Sequence, residues 1–369
     1  MRSKSSWILI LSAVAAGYYL HETGGGGLPV GEGIFKRPSV AIAAGVPRPP
    51  VPLVASGARG DGKRPVGSKV PGRSAESTVG ASAEFHYLRA ANDARAQGDA
   101  PRFLAYATAF CKRTVGCESA RGAGEATAGV LTQLEREAVV RANEAARKGD
   151  PAAQLTELSR AYLAALSPAR RDEYRRILQQ LSASEILSRR RSADAHFHKV
   201  EPGESLGRIA ARYNFPVGGI QAVNGLRSTV IRVGQVLKVP QGPVEAIAFK
   251  DDYRLLVLSG GKYLKEYAIG IGKEDSTPEG VFEIEEKSIN PTWYAPDGVY
   301  PPGHPKNILG TRWFGFRDTE EHEGYGIHGT SLPGSIGKAE SSGCIRLRNE
   351  DVEELFGFLP RGARVVIVP

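Results

Sequence analysis

Between Gly24 and Arg73 the chain holds 12 glycines and 8 prolines in 50 residues. This stretch limits the fold more than any other feature. A segment of that composition cannot bury enough apolar surface to offset its backbone entropy. It is expected to be a disordered linker, taken as residues 23–83, and it divides the chain into a short N-terminal piece and a long folded part. It is also basic, with eight Lys and Arg against two Asp and Glu in residues 24–73.

The charge is unevenly spread. The overall formal charge is +8, yet residues 241–369 carry 14 basic against 20 acidic side chains. No single basic face dominates, which argues against nucleic acid as a partner. Three cysteines in 369 residues are too few for a disulfide scaffold. No apolar run reaches the roughly 18 residues of an ordinary membrane span, which excludes a multi-pass membrane protein.

Ahead of the linker, Arg2 and Lys4 precede an apolar run of 14 residues, Trp7 to Leu20. As a helix that run spans about 21 Å, short of the roughly 30 Å of a hydrocarbon core. Residues 1–22 therefore read as a signal peptide or signal anchor. Export to the periplasm or cell wall is expected, with membrane contact only through this segment. Ala13-Val14-Ala15 is a candidate cleavage site.

Residues 84–192 are rich in Ala, Leu, Arg, Glu and Gln and read as helical. Leu155, Leu158, Tyr162, Leu163 and Leu166 recur at helical spacing, as do Tyr174, Ile177, Leu178 and Leu181. Ala91 to Asp99 is echoed by Ala142 to Asp150, each copy ending in Gly-Asp with a proline close behind. The pattern resembles a helix-turn-helix repeat of the tetratricopeptide kind. It serves either a spacer or a platform for a protein partner. Cys111 and Cys117 are six apart. They are either a local disulfide or two free thiols.

Residues 197–240 read strand, helix, helix, strand. Ser205 is placed to cap the first helix, and Leu206, Ile209, Ala210 and Tyr213 form its apolar stripe. Asn224-Gly225 ends the second helix, and Val236 to Pro240 closes the module as a strand. The quoted elements VEPGESLGRIAARYNF, IQAVNG and VGQVLKVP resemble a LysM domain in order and spacing. That resemblance implies binding of N-acetylglucosamine-containing glycans such as peptidoglycan. By position it implicates Gly203, Glu204, Ser205, Leu206 and the stretch from Asn224 to Ile231.

From residue 243 to 369 the pattern turns to short strands. Val244 to Phe249, Arg254 to Leu258, Tyr263 to Ile269, Gly280 to Ile289 and Ala363 to Val368 are β-rich, and Ser259-Gly260-Gly261 reads as a hairpin turn. Asn349 to Phe356 is the one clear helix, with Asn349 expected as its cap. The whole chain is thus expected to be multidomain: an α-helical region, a small βααβ module, and a mostly-β C-terminal domain built as a sandwich or partly open barrel.

This last domain holds Tyr325-Gly326-Ile327-His328-Gly329-Thr330 and, further on, Ser341-Ser342-Gly343-Cys344-Ile345-Arg346-Leu347. A cysteine and a histidine, each beside glycine, can form a thiol–imidazole pair in which the imidazole deprotonates the nucleophile. The N–H groups of Gly343 and Cys344 are candidate oxyanion donors. A buried structural cysteine with an unrelated histidine is the competing reading. His304, His322, His328 and Cys344 have no zinc-site spacing, so no metal is expected. Trp293, Tyr294, Trp313 and Phe314 are either core or the walls of a peptide groove.

The stretches IHGT and SSGCIRLRNEDVEEL resemble the signature of the YkuD-type L,D-transpeptidase catalytic domain. The upstream STPEGVFEIEEKSINPTWY and PPGHPKNILGTRWFGF also resemble that family. The resemblance implies Cys344 as nucleophile, His328 as general base and the Gly329 carbonyl as the group that orients the imidazole. Arg346, Ser342 and Tyr325 are the substrate-side candidates, Arg346 either meeting a substrate carboxylate or bracing the loop. Many members read Ser-His-Gly-Cys where this chain has Ser342 in place of the histidine, and Arg346 stands where Asn is common. The implied reaction is acyl transfer from a tetrapeptide stem to a second stem, giving 3–3 cross-links of peptidoglycan without a cofactor. Transfer to water or to a protein with the same site, and an idle wall-binding scaffold, are the alternatives.

Overall fold

The computed structural model describes residues 79–115 and 121–369. The expected export segment, nearly all of the expected linker, and Cys117 lie outside these residues. Helix α1 (Val79–Ala96) begins within the stretch assigned above to the linker. The last linker proline is Pro71, and the alanines that follow favour a helix.

Four further helices complete the helical region: α2 (Ala100–Thr114), α3 (Arg121–Arg147), α4 (Pro151–Ala164) and α5 (Pro168–Glu185). The sequence echo marks two equivalent corners. Gly98 and Gly149 both take positive φ, at 72° and 67°. Asp99 N–H bonds Ala94 O and Asp150 N–H bonds Ala145 O, each at 2.9 Å. The Asp99 carboxylate then accepts from Arg102 N–H at 3.2 Å, and that of Asp150 from Ala153 N–H at 2.9 Å. Glycine closes one helix, and aspartate opens the next.

The middle module pairs β1 (Ala195–Lys199) antiparallel with β2 (Val236–Pro240) around α6 (Leu206–Tyr213) and α7 (Val217–Asn224). Ser205 caps α6 as expected, accepting from Arg208 N–H. Gly225 ends α7 in the left-handed region.

The C-terminal domain is one curled eight-stranded sheet, an open half-barrel. Its strands are β3 (Val244–Phe249), β4 (Arg254–Ser259), β5 (Lys262–Ala268), β7 (Gly280–Ile289), β10 (Arg312–Phe316), β11 (Gly326–His328), β13 (Ile345–Arg346) and β14 (Arg364–Val368), in the order β13-β11-β10-β7-β14-β3-β4-β5. The short strands β6 (Ile271–Gly272) with β12 (Ala339–Ser341), and β8 (Trp293–Ala295) with β9 (Gly298–Tyr300), form two small side ladders. Helix α8 (Asn349–Phe358) lays Val352, Leu355 and Phe358 into the core. Asn349 is not its cap. Arg348 holds that position, and Asn349 sits in the first turn with Oδ1 accepting from Thr311 N–H at 3.2 Å. A cross-chain donor has taken the oxygen that the sequence alone assigned to the helix end.

The helical region closes one edge of this sheet. Strand β5 is terminal, so its outer N–H and C=O groups need partners. Ser159 Oγ accepts from Tyr263 N–H at 2.9 Å, and Ser182 Oγ–H donates to Leu264 O at 2.7 Å. Arg171 pairs with Asp252 and Arg175 with Glu266 across the same seam. One face of the helical region is therefore committed to the C-terminal domain.

The middle module docks on α8 through glycines. A Cβ on Gly219 would meet Phe215 Cε1 at 2.5 Å and Gly357 O at 2.6 Å. Gly219→Ala is expected to lower stability by about 1–3 kcal/mol through overpacking at a rigid backbone contact. Urea unfolding measures this, and a variant as stable as the parent removes the close docking.

Candidate active site

The site is assembled by two of the shortest strands. Strand β11 pairs parallel with β13, setting Ile327 against Ile345 and His328 against Arg346. Ile327 and Ile345 are buried in the core. Side chains alternate along a strand, so His328 and Arg346 share the opposite face, and Cys344 lies directly ahead of β13 in the chain. The Arg346 guanidinium acts on both groups, lowering the pKa of His328 and of Cys344.

His328 is 2% exposed. Burial pushes its pKa down from 6.5 to about 4, and the Arg346 charge adds to this against the opposing pull of the Gly329 and Leu309 carbonyls. The imidazole is therefore neutral at pH 7. Its Nδ1 lies 2.5 Å from Gly329 O. A carbonyl only accepts, so the proton is on Nδ1 and the lone pair is on Nε2. The backbone on both sides is tied down: Gly329 N–H to Arg312 O at 3.1 Å, and Leu347 N–H to His328 O at 2.8 Å. Trp313 is partly exposed, with its ring centroid 6.0 Å from the imidazole, whereas Phe314 beside it is core.

Burial also raises the Cys344 pKa, against the Gly326 N–H and the Arg346 charge, which lower it. The resting group is a thiol. Its hydrogen bond goes to Gly324 O at 3.9 Å, a rim contact. Both groups are therefore uncharged at rest.

The loop carrying the cysteine is held by hydroxyls. Ser341 Oγ–H donates to Cys344 O at 2.7 Å, and Gly343 N–H donates back to Ser341 Oγ at 3.1 Å. Gly343 was expected as an oxyanion donor, and its N–H is already engaged. Of the two expected donors, the Cys344 N–H alone lacks a partner among the described residues. Thr277 Oγ1–H donates to Gly343 O at 2.9 Å. Gly343 adopts φ of 132°, and a Cβ there would meet the Tyr325 ring at 2.5 Å. Tyr325 is thus the wall against which the loop packs, and Ser342 is exposed on its outer side. The buried Nε of Arg346 has no hydrogen-bond partner among the described residues. Ser341 and Thr277 were visible in the motifs, but nothing in their spacing marked them as braces.

The residues expected to bind glycan are placed differently from one another. Gly203 is exposed in a turn at φ of 79°. The Glu204 carboxylate accepts from Glu201 N–H at 2.9 Å and meets His198 Nε2 at 2.7 Å, contacts that hold it below the usual carboxylate range. Ser205 caps its helix, Leu206 is core, and Asn224 is buried, bonding Ile220 O, Lys238 O and Lys238 N–H. The Leu206 and Asn224 side chains are therefore corrected from ligand contacts to supports of the module. The second loop exposes Arg227, Ser228, Thr229 and Val230 to solvent.

His304 stacks on Tyr300 at 4.8 Å, and His322 lies against Phe282 and Tyr325. Trp293 packs on Tyr300, and Tyr294 is largely exposed. Cys111 is a buried free thiol whose pKa burial pushes up to about 12.

The L,D-transpeptidase catalytic domain family (YkuD) matches residues 243–367, and the LysM domain family matches residues 198–240. YqjB of Bacillus subtilis, which carries the name of an L,D-transpeptidase, is 41% identical over 129 residues, covering 34% of this chain and 72% of YqjB. YkuD of Bacillus licheniformis, named likewise, is 36% identical over 185 residues, covering 47% of this chain and 98% of that protein. The NMR structure of the catalytic domain from E. faecium L,D-transpeptidase aligns at 25% identity over 34% of this chain and 98% of that chain, with a TM-score of 0.28.

The buried imidazole makes a pH prediction. The folded-state pKa of His328 lies near 4 and the ordinary value is 6.5, so on acidification the unfolded chain takes the proton first. The contribution of this residue to stability is complete above pH 6.5 and is lost as pH falls toward 4. An NMR titration of the His328 ring is expected to show its transition near the lower value. A midpoint at 6.5 refutes the buried neutral imidazole.

Proposed function

The chain belongs to the YkuD-type L,D-transpeptidase family, with a LysM domain directly ahead of its catalytic domain, and from that membership we propose that it cross-links peptidoglycan through a Cys344 acyl-enzyme. The observation that carries this reading is the fixed tautomer of His328, whose Nε2 lone pair is directed by the Nδ1–H bond to Gly329 O. It is joined by Arg346, which faces both His328 and Cys344 and has an unpartnered buried Nε.

In the first half-reaction the thiol of Cys344 gives its proton to His328 Nε2, and the sulfur forms a bond to the acyl carbon at position three of a tetrapeptide stem. The Cys344 N–H receives the developing oxyanion. The C–N bond to the terminal D-alanine then breaks, and His328 returns the proton to the departing amine. In the second half the side-chain amine of another stem attacks the thioester, Nε2 takes its proton, and the C–S bond breaks. The product is a 3–3 cross-link. The thioester retains the acyl-transfer potential, so no cofactor is required. Arg346 pairs with a stem carboxylate. The LysM domain holds glycan close to the site and raises the local stem concentration. Export through residues 1–22 brings the enzyme to its wall substrate.

Incubation of the full chain with tetrapeptide muropeptides, read by mass spectrometry, tests the proposal. Dimers with loss of D-alanine are expected. Tripeptides alone indicate that water is the acceptor, and unchanged material indicates a scaffold; either result overturns the cross-linking reading. A carbapenem is expected to add covalently to the parent and not to Cys344→Ala. Equal labelling of that variant refutes the nucleophile.

A further inference from the structure

We propose that Thr277 is the positioning residue of the oxyanion site, its hydroxyl setting the direction of the Cys344 N–H through the Gly343 carbonyl. This rests on the acyl-enzyme reading above and adds to it a residue outside the Cys–His pair.

The peptide unit joining Gly343 to Cys344 is planar, with its C=O and N–H pointing in opposite directions. Whatever holds the Gly343 oxygen therefore aims the Cys344 N–H. Thr277 Oγ1 is 2.9 Å from that oxygen. The same Oγ1 accepts from Gly272 N–H at 2.7 Å. With that lone pair occupied by a donor, the hydroxyl hydrogen is directed to Gly343 O.

Thr277 is itself held rigid. It is 1% exposed, and its carbonyl accepts from Lys250 Nζ at 3.1 Å. Lys250 is buried and also bonds Glu279 at 2.7 Å. The segment bearing Thr277 is pressed against the nucleophile loop: a Cβ on Gly272 would lie 2.8 Å from Gly343 Cα. Gly270 and Arg346 exchange two backbone hydrogen bonds of 2.8 Å on the far side of the cysteine.

The remaining polar groups of the loop are accounted for. Gly343 N–H and Cys344 O are both held by Ser341 Oγ. The Cys344 N–H is left as the donor with no partner among the described residues. An oxyanion site needs a donor fixed before charge develops, because reorganising it during reaction raises the barrier. The Thr277 hydroxyl supplies that fixation without touching substrate.

The test compares Thr277→Val, which keeps the shape and removes the hydroxyl, with Thr277→Ser, which keeps the hydroxyl. Two reactions of Cys344 are followed. Acylation by a carbapenem, or turnover of tetrapeptide muropeptide, passes through an oxyanion. Alkylation by iodoacetamide does not. Thr277→Val is expected to slow acylation and kcat by about a hundredfold, the usual scale for losing an oxyanion donor. KM and the pH profile of alkylation are expected to stay close to the parent, and Thr277→Ser to restore acylation to within a fewfold.

An unchanged acylation rate in Thr277→Val overturns the proposal. So does an equal fall in acylation and alkylation, which marks a disordered loop, or failure of Thr277→Ser to rescue. If Thr277→Val does not fold, Thr277→Ala is measured in the same way, and the same split between the two reactions is required. Failure of the underlying acyl-enzyme reading is separate, since it appears as carbapenem labelling of Cys344→Ala.

Discussion

The parallel pairing of β11 with β13 is the contact on which the chemistry depends. It is only two residue pairs long, yet it joins segments 18 positions apart and sets His328 beside Arg346. Ile327 and Ile345 anchor it from the core side. The same alternation that buries the two isoleucines turns the imidazole and the guanidinium to the other face. Core packing and site assembly are thus two sides of one strand pair. A substitution that loosens the isoleucines moves His328 relative to Arg346.

Burial then sets the protonation states. In water an imidazole with a pKa near 6.5 is mostly neutral at pH 7 and charged in mild acid. In this site it is neutral well below that, and its tautomer is fixed by the Gly329 carbonyl. The thiol is likewise held protonated. Both partners rest uncharged in a low-dielectric place, where separated charge is costly.

The accessory regions are structural neighbours of the catalytic domain. Serine hydroxyls and ion pairs from α4 and α5 close the exposed edge at β5, which removes a surface prone to strand addition. The LysM domain meets α8 where neither Gly219 nor Gly357 carries a side chain to keep the backbones apart. Of its expected ligand residues, Ser205, Leu206 and Asn224 serve its own fold.

Sequence by itself determined the punctuation and the chemistry-bearing residues. The Gly-Asp corners at 98–99 and 149–150, the Ser205 cap, the long strands and the cysteine and histidine motifs are all local signals, because each depends on residues a few positions apart. Strands β11 and β13 were not legible, since three and two residues carry no periodicity to read, and in β10 a glycine interrupts the run Arg312-Trp313-Phe314-Gly315-Phe316. Nor was the engagement of the Gly343 N–H by Ser341, the bond from Thr277 to the Gly343 carbonyl, or the turn of Asn349 toward Thr311. Those were decided by tertiary structure. A hydrogen-bonding group goes to whichever partner the folded chain brings within about 3 Å, and spacing along the sequence does not record which partner that is.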